Sequence, residues 1–311
     1  MKIVALAGGG GGAKLADGLA QILPPEDLTI IANTGDDFEH LGLYISPDLD
    51  TLCYTLAGLS NPETGWGRRD ESFLVLENLQ RLAGPDWFRL GDQDLATHLE
   101  RTRRLQVGQP LSQITLAFCR AWGVQQTILP MSDHRVRTMV DTAEDGELPF
   151  QEYFVHRKCA PRVKGFRFDG IEKALPAPGV LEAFDQADAI VICPSNPWVS
   201  IDPILAVAGL RSALTTKEII SVSPIINGQT VKGPAAKMYT ELGVEPTALA
   251  VGRHYGKILT GFILDGMDAD LVPKFSIPTW VTNILMKDQE NRRRLAQDVL
   301  NFIQTLRSTA T

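Results

Sequence analysis

Five consecutive glycines, Gly8 to Gly12, stand between an apolar run, Lys2 to Ala7, and a stretch with helical spacing, Ala13 to Leu23. Glycine carries no Cβ, so the backbone can turn through positive φ there and can approach a phosphate or a neighbouring strand closely. Leu15, Leu19, Ile22 and Leu23 share one helix face, and Pro24-Pro25 ends the helix. Leu28 to Ala32 is a second apolar run. Strand, glycine turn, helix and strand make a βαβ unit, which implies a parallel sheet covered by helices.

The pattern returns in the last third of the chain. Ala189 to Cys193 reads as a strand running into Pro194-Ser195-Asn196-Pro197, with a helix from about Asp202. Glu218 to Val222 is another strand, followed by Ser223 to Gly228 and a helical stretch from Lys232 to Leu242. Between these halves, Glu71–Leu82, Leu95–Leu105 and Leu111–Trp122 have helical spacing. Thr127–Leu129, Val136–Asp141, Gln151–His156 and Val163–Phe168 read as strands, and Arg292–Leu306 as a closing amphipathic helix. The expected fold is α/β, a Rossmann-like, mostly parallel sheet with helices on both faces and a mixed, largely helical insertion. The core covers about residues 1–60 and 170–311, and the insertion about 61–169.

A net charge of −7 without a Lys/Arg cluster that could track a nucleic-acid backbone argues against bulk nucleic-acid binding. No apolar run approaches eighteen residues, so no transmembrane helix is expected. Met1 to Ala7 lacks the basic start and cleavage site of a signal peptide, which points to a cytoplasmic protein with its four cysteines reduced.

Open α/β sheets bind ligands beyond the carboxyl ends of their strands. Gly9, Gly10, Gly11 and Gly12 can offer amides at a helix N-terminus to a phosphate, although a tight packing turn also uses glycine. Lys14 reaches the phosphates or lies on the helix surface. No GK[ST] follows, so this is not a Walker loop. Asp36 and Asp37, just past the second strand, hold magnesium against phosphate oxygens or form a capped turn. Asp48 reads as a helix N-terminal acid favoured by the dipole; Asp50 is ambiguous in the same way. Ser195, Asn196 and Ser223 follow later strands and supply polar groups to an anion, or serve as ordinary connections.

Asn33 to Thr51 resembles the core signature of the CofD family. So do Tyr54–Gly58, Asn61–Gly67, Trp87–Asp92, Asp94–His98, Leu129–Asp133, Phe150–Val155, Cys193–Pro197 and Lys232–Pro234. The match runs in order over most of the chain. The resemblance implies a 2-phospho-L-lactate transferase of EC 2.7.8 type in coenzyme F-420 biosynthesis. Its donor is a lactyl or enolpyruvyl diphosphoguanosine, its acceptor the deazaflavin Fo, and it releases GMP. The resemblance further implies Mg2+ and a homodimer without membrane attachment.

By motif, Asp50 and Arg89 fall at the Fo contacts, and Asp36 with Asp50 at the metal. Asp36, Asp37 and Asp50 fall at the catalytic carboxylates, and Asn33 joins the nucleotide-binding group. Gly10 stands where many members carry Thr or Val, and Gln93 where members often carry Arg. His40 and His98 read as hydrogen-bond partners within the fold. Trp66, Trp87 and Phe88 either stack on the deazaflavin or pack. The main alternative is a CofD-like nucleotide-sugar-binding regulatory protein without transferase activity. A Rossmann dehydrogenase is a second, although the glycine run lacks a clean dinucleotide fingerprint.

Overall fold

The computed structural model describes residues 1–214 and 217–309. Its centre is a seven-stranded sheet. From edge to edge the order is Thr279–Thr282, Gly261–Asp265, Glu218–Val222, Ala189–Ile192, Ile3–Ala7 (β1), Leu28–Ala32 (β2) and Thr127–Pro130. Every neighbouring pair is parallel. The Rossmann-like α/β expectation is met.

Helices cover both faces, and β1 shows it residue by residue. Ile3, Ala5 and Ala7 join one core with Leu15 and Leu19 of α1 (Gly9–Ala20) and with the helix Gln289–Thr309. Val4 and Leu6 point the other way, into a second core with Phe184, Ile204 and Phe262. All five residues of β1 are buried, which explains an apolar run without alternation. Among the described residues no helix is long and apolar enough to cross a membrane. The four cysteines are free thiols.

Several expectations need adjustment. Thr127–Pro130 pairs with β2 inside the main sheet, so the segment 61–169 does not lie wholly outside it. The helix Leu111–Ala121 packs on the same core through Leu111 and Cys119. What stands apart is an antiparallel sheet in the order Gly146–Pro149, Arg137–Thr142, Val163–Asp169. Gln151–His156 is not a strand but a wide helical turn over Glu152–His156. Phe150 and Tyr153 are both buried, a three-residue spacing that suits a helix rather than a strand. The main sheet also contains the strands Gly261–Asp265 and Thr279–Thr282, beyond those expected from the sequence. A further addition is the hairpin Phe38–His40 with Leu43–Ile45, turned at Leu41 and Gly42 with φ of 53° and 73°.

Gly18 shows how closely α1 lies against the closing helix, because an added Cβ would run into the Arg292 carbonyl. Gly18→Ala should cost about 1–3 kcal/mol in chemical denaturation. Gly165→Ala, where nothing lies within 4 Å, should leave the midpoint unchanged. Equal midpoints for the two variants would refute this close packing.

Candidate active site

The strand order reverses beside β1. The chain moves outward from β1 through β2 in one direction, and later from Ala189–Ile192 in the other. Such a reversal opens a crevice at the carboxyl ends of the strands. Two loops meet there. The Gly8 amide donates to Ser195 Oγ at 3.1 Å, and Ser195 Oγ donates to the Gly8 carbonyl at 2.8 Å.

Close approach explains much of the glycine run. A Cβ on Gly8 would collide with Asp48 Oδ2 and Ser200, one on Gly11 with the Pro194 carbonyl, and one on Gly12 with Ser195 Oγ. Gly9 has φ of +64°. Gly10 alone has neither demand, since the nearest atom to an added Cβ is Gly65 O at 3.6 Å. The amides of the first turn of α1 point at the crevice edge, as helix N-termini do.

Asn33 organises the acids. It is fully buried, and its Nδ2 donates to Asp36 Oδ1 at 3.1 Å, Asp48 Oδ2 at 2.9 Å and Val199 O at 3.1 Å. Its Oδ1 accepts from the Gly35 amide at 2.8 Å. Asn33 therefore acts by holding carboxylates rather than by reaching outward. Gln151 Nε2 donates to the other oxygen of Asp36 at 3.1 Å. Burial pushes the Asp36 carboxyl well above the usual range, and the neighbouring Asp48 and Asp37 push it further. Burial raises Asp48 to about 6, against the hydrogen bonds from Asn33 and the Gly9 amide.

The two acids at the start of α2 (Pro47–Leu56) go to different places. Residues two apart on a helix do not share a face. Asp48, read from sequence as a dipole-favoured acid, turns to Gly8, Gly9 and Asn33 and joins Asp36. Asp50 turns away and is gripped at both oxygens by Arg101, with Nη1 3.0 Å from Oδ2 and Nη2 on Oδ1. His98 Nδ1 stands 3.1 Å from Arg101, and its Nε2 lies 3.4 Å from Asp94 Oδ1. Tyr54 donates to Asp94 at 2.7 Å. Asp50, Asp94 and His98 bring ligand atoms within 4.8 Å of one another, but the Arg101 guanidinium already neutralises Asp50.

Asp37 lies between these groups. Ser46 Oγ donates to its Oδ2 at 2.8 Å, and its Oδ1 has no hydrogen-bond partner among the described residues. Burial pushes it up to about 7, opposed by the charges of Arg137 and Arg101.

A cavity of about 120 Å³ opens nearby, lined by Trp66, Arg68, Phe73, Arg89 and Asp94 among others. The Arg89 guanidinium lies 4.8 Å from the centre of the Phe73 ring. Asp94 belongs both to this wall and to the Asp50 network, so the two residues matched to the acceptor, Asp50 and Arg89, are linked through Asp94 and His98. Trp87 and Phe88 pack on Phe38 and His40. Gln93 lies outside the lining and donates to the Asp70 carbonyl at 2.8 Å.

The remaining candidates each have a partner within the fold. Lys14 donates to the Met286 carbonyl at 3.1 Å. Asn196 Oδ1 accepts from the Trp198 amide at 3.1 Å and caps the turn Pro197–Ile201. Ser223 Oγ donates to the Ile225 carbonyl at 2.8 Å within its own loop.

A parallel sheet with a glycine turn, buried acids and an aromatic-lined cavity near its switch point defines an α/β protein with a candidate ligand crevice there. The family model described as 2-phospho-L-lactate transferase CofD matches residues 3–304, and the chain belongs to that family and is a transferase. A curated relative named phosphoenolpyruvate transferase from Streptomyces griseus is 45% identical, covering 99% of this chain and 100% of its own length. Relatives of the same name from Streptomyces coelicolor (99% of each chain) and Thermobifida fusca (88% of each) are 43% and 45% identical. A solved structure of a UPF0052 family member from Bacillus halodurans superposes with a TM-score of 0.65 at 16% identity, covering 96% of this chain and 98% of the other. That likeness concerns the fold alone.

Arg101→Met should destabilise the protein by about 3–5 kcal/mol, because it leaves Asp50 buried without its partner. Pairing it with Asp50→Asn should recover part of that loss in denaturant melts; no recovery would mean that Arg101 acts through packing only. Asp37 gives a pH prediction. Its folded pKa of about 7 lies above the unfolded carboxylate value of about 3.9. The folded state then binds more protons between about pH 4 and 7, and stability falls as pH rises through that window. Asp37→Asn should flatten that fall, as read from midpoints measured across it.

Proposed function

We propose that the chain transfers a phosphoenolpyruvate- or 2-phospho-L-lactate-type group from an enolpyruvyl or lactyl diphosphoguanosine to the deazaflavin Fo, releasing GMP, in coenzyme F-420 biosynthesis. The carrying observation is the meeting of the glycine turn, Asp36, Asp48 and the Ser195 loop at one switch point, beside a cavity holding Arg89. The name shared by the most similar curated relatives favours the enolpyruvyl donor.

Phosphoryl-type transfer asks the protein chiefly for alignment and charge neutralisation. The terminal hydroxyl of the acceptor attacks the phosphorus bearing the three-carbon acid. The bond from that phosphorus to the GMP oxygen breaks, and GMP leaves with the electron pair. First-turn amides of α1 face the leaving phosphate. Asp37 has an oxygen without a hydrogen-bond partner among the described residues and a proton affinity near neutrality, and it takes the hydroxyl proton in this scheme. Arg89 and Phe73 place the acceptor, and Asp50, fixed by Arg101, orients its polar end.

The residues fit Mg2+ at Asp36 and Asp48 better than at Asp50. Two neighbouring carboxylates whose proton affinity burial raises, with all-oxygen donors, suit a hard cation. Asp50 instead faces a guanidinium. Bound there, the ion would neutralise diphosphate charge as a Lewis acid. A cytoplasmic location and a homodimer complete the reading.

The test is incubation of the protein with Fo, Mg2+ and either the enolpyruvyl or the lactyl diphosphoguanosine, with mass analysis of products. The enolpyruvyl donor should yield GMP and the dehydro form of the F-420 core. Asp48→Asn should lower the rate at least about a hundredfold, in keeping with loss of a transition-state charge contact. Failure of both donors to give a conjugate would defeat the reading.

A further inference from the structure

The glycine turn has the Asp48 carboxylate against Gly8 and two lysines, Lys14 and Lys232, in its neighbourhood. Lys14 sits in α1, with its ammonium on the Met286 carbonyl. Lys232 reaches in from the loop after Gln229–Thr230 and donates to the Thr64 carbonyl. Gly65 lies between Lys232 and the turn. An added Cβ on Gly65 would stand 2.7 Å from Lys232 Nζ, and the Gly65 carbonyl is the nearest atom, at 3.6 Å, to an added Cβ on Gly10. The third cation nearby, Arg292, is paired with Asp17 at 3.0 Å.

The recorded side-chain partners of both lysines, among the described residues, are backbone carbonyls and not carboxylates. Their charges feel each other. The Lys14 ammonium is held below the usual lysine range first by burial, then by Arg292 and Lys232, and Lys232 is lowered by burial. Like charges brought together without a counter-ion favour the arrival of an anion. An ammonium has three donors, so the Thr64 carbonyl leaves Lys232 two to offer.

We propose that Lys232, together with Lys14, clamps the diphosphate of the donor against the glycine turn, and that Lys232 thereby ties the 61–67 loop over it. This rests on the donor reading above. The loop carries Trp66, which lines the cavity with Arg89. Lys232 therefore connects the charge of the donor to the wall of the acceptor pocket, and a bound diphosphate tightens acceptor binding.

The experiment is calorimetric titration of the full-length wild type, Lys232→Met and Lys232→Arg with inorganic pyrophosphate and, separately, with GDP, all in Mg2+ buffer. Lys232→Met should weaken both ligands about ten- to a hundredfold, the loss of one or two charge-assisted hydrogen bonds. Lys232→Arg should retain most of the affinity. Thermal melts of the unliganded variants should match wild type, because the tethered loop lies at the surface. Pyrophosphate binding that is equal in wild type and Lys232→Met, or absent from both, overturns the clamp. Pyrophosphate binding that depends on Lys232 while GDP binds no better than pyrophosphate supports the clamp and removes the guanosine donor.

Discussion

The close contact between two strand-end loops, Gly8 against Ser195, sets the rest of the site. It demands glycine at three positions for space and brings the start of α1 beside the loop that follows Ala189–Ile192. Asn33 extends the contact by holding Asp36, Asp48 and the Val199 carbonyl with a single side-chain amide. Both groups are buried, so each unmade hydrogen bond would leave a desolvated polar atom, and the arrangement is enforced by that cost. Loop position, helix start and carboxylate orientation are thus one structure rather than three.

Four aspartates lie close together in an acidic protein, and the fold gives them different electrical environments. Asp50 is balanced by a buried arginine. Asp36 and Asp48 have amide donors but no paired cation among the described residues, and burial raises the proton affinity of both. Asp37 keeps one oxygen unengaged beside Arg137 and Arg101. These differences separate a carboxylate fixed in place, a pair suited to a hard cation, and one suited to proton transfer. Lys14 and Lys232, near the glycine turn, carry the opposite sign.

Much of this was legible in the chain. Apolar runs of five residues followed by small polar loops announced parallel strands, because a strand buried on both faces has no need to alternate. The glycine run announced a strand-to-helix turn of unusual tightness. Asp36 and Asp37 were readable from their place past β2. Other features were not. Thr127–Pro130 carries the same local signal whether it joins the main sheet or a separate one, since hydrogen bonding to β2 spans about a hundred residues. Gln151–His156 carries the β-favouring run Tyr153-Phe154-Val155, yet Phe150 and Tyr153 are buried together in a helical turn. The sequence spacing of Asp48 and Asp50 implied that they diverge, but not which one would meet Asp36.

What the sequence determined by itself was the class of fold, the family motifs and the set of residues from which a site could be made. These depend on local spacing and side-chain type, which a chain carries wherever it goes. The tertiary structure alone decided which acid meets which partner: Asp48 with Asp36 through Asn33, Asp50 with Arg101, and Lys232 with the loop over the glycine turn. Those pairings join residues up to 168 positions apart. They depend on packing direction and on the shortage of water around buried charge, and neither is encoded in any single stretch of chain.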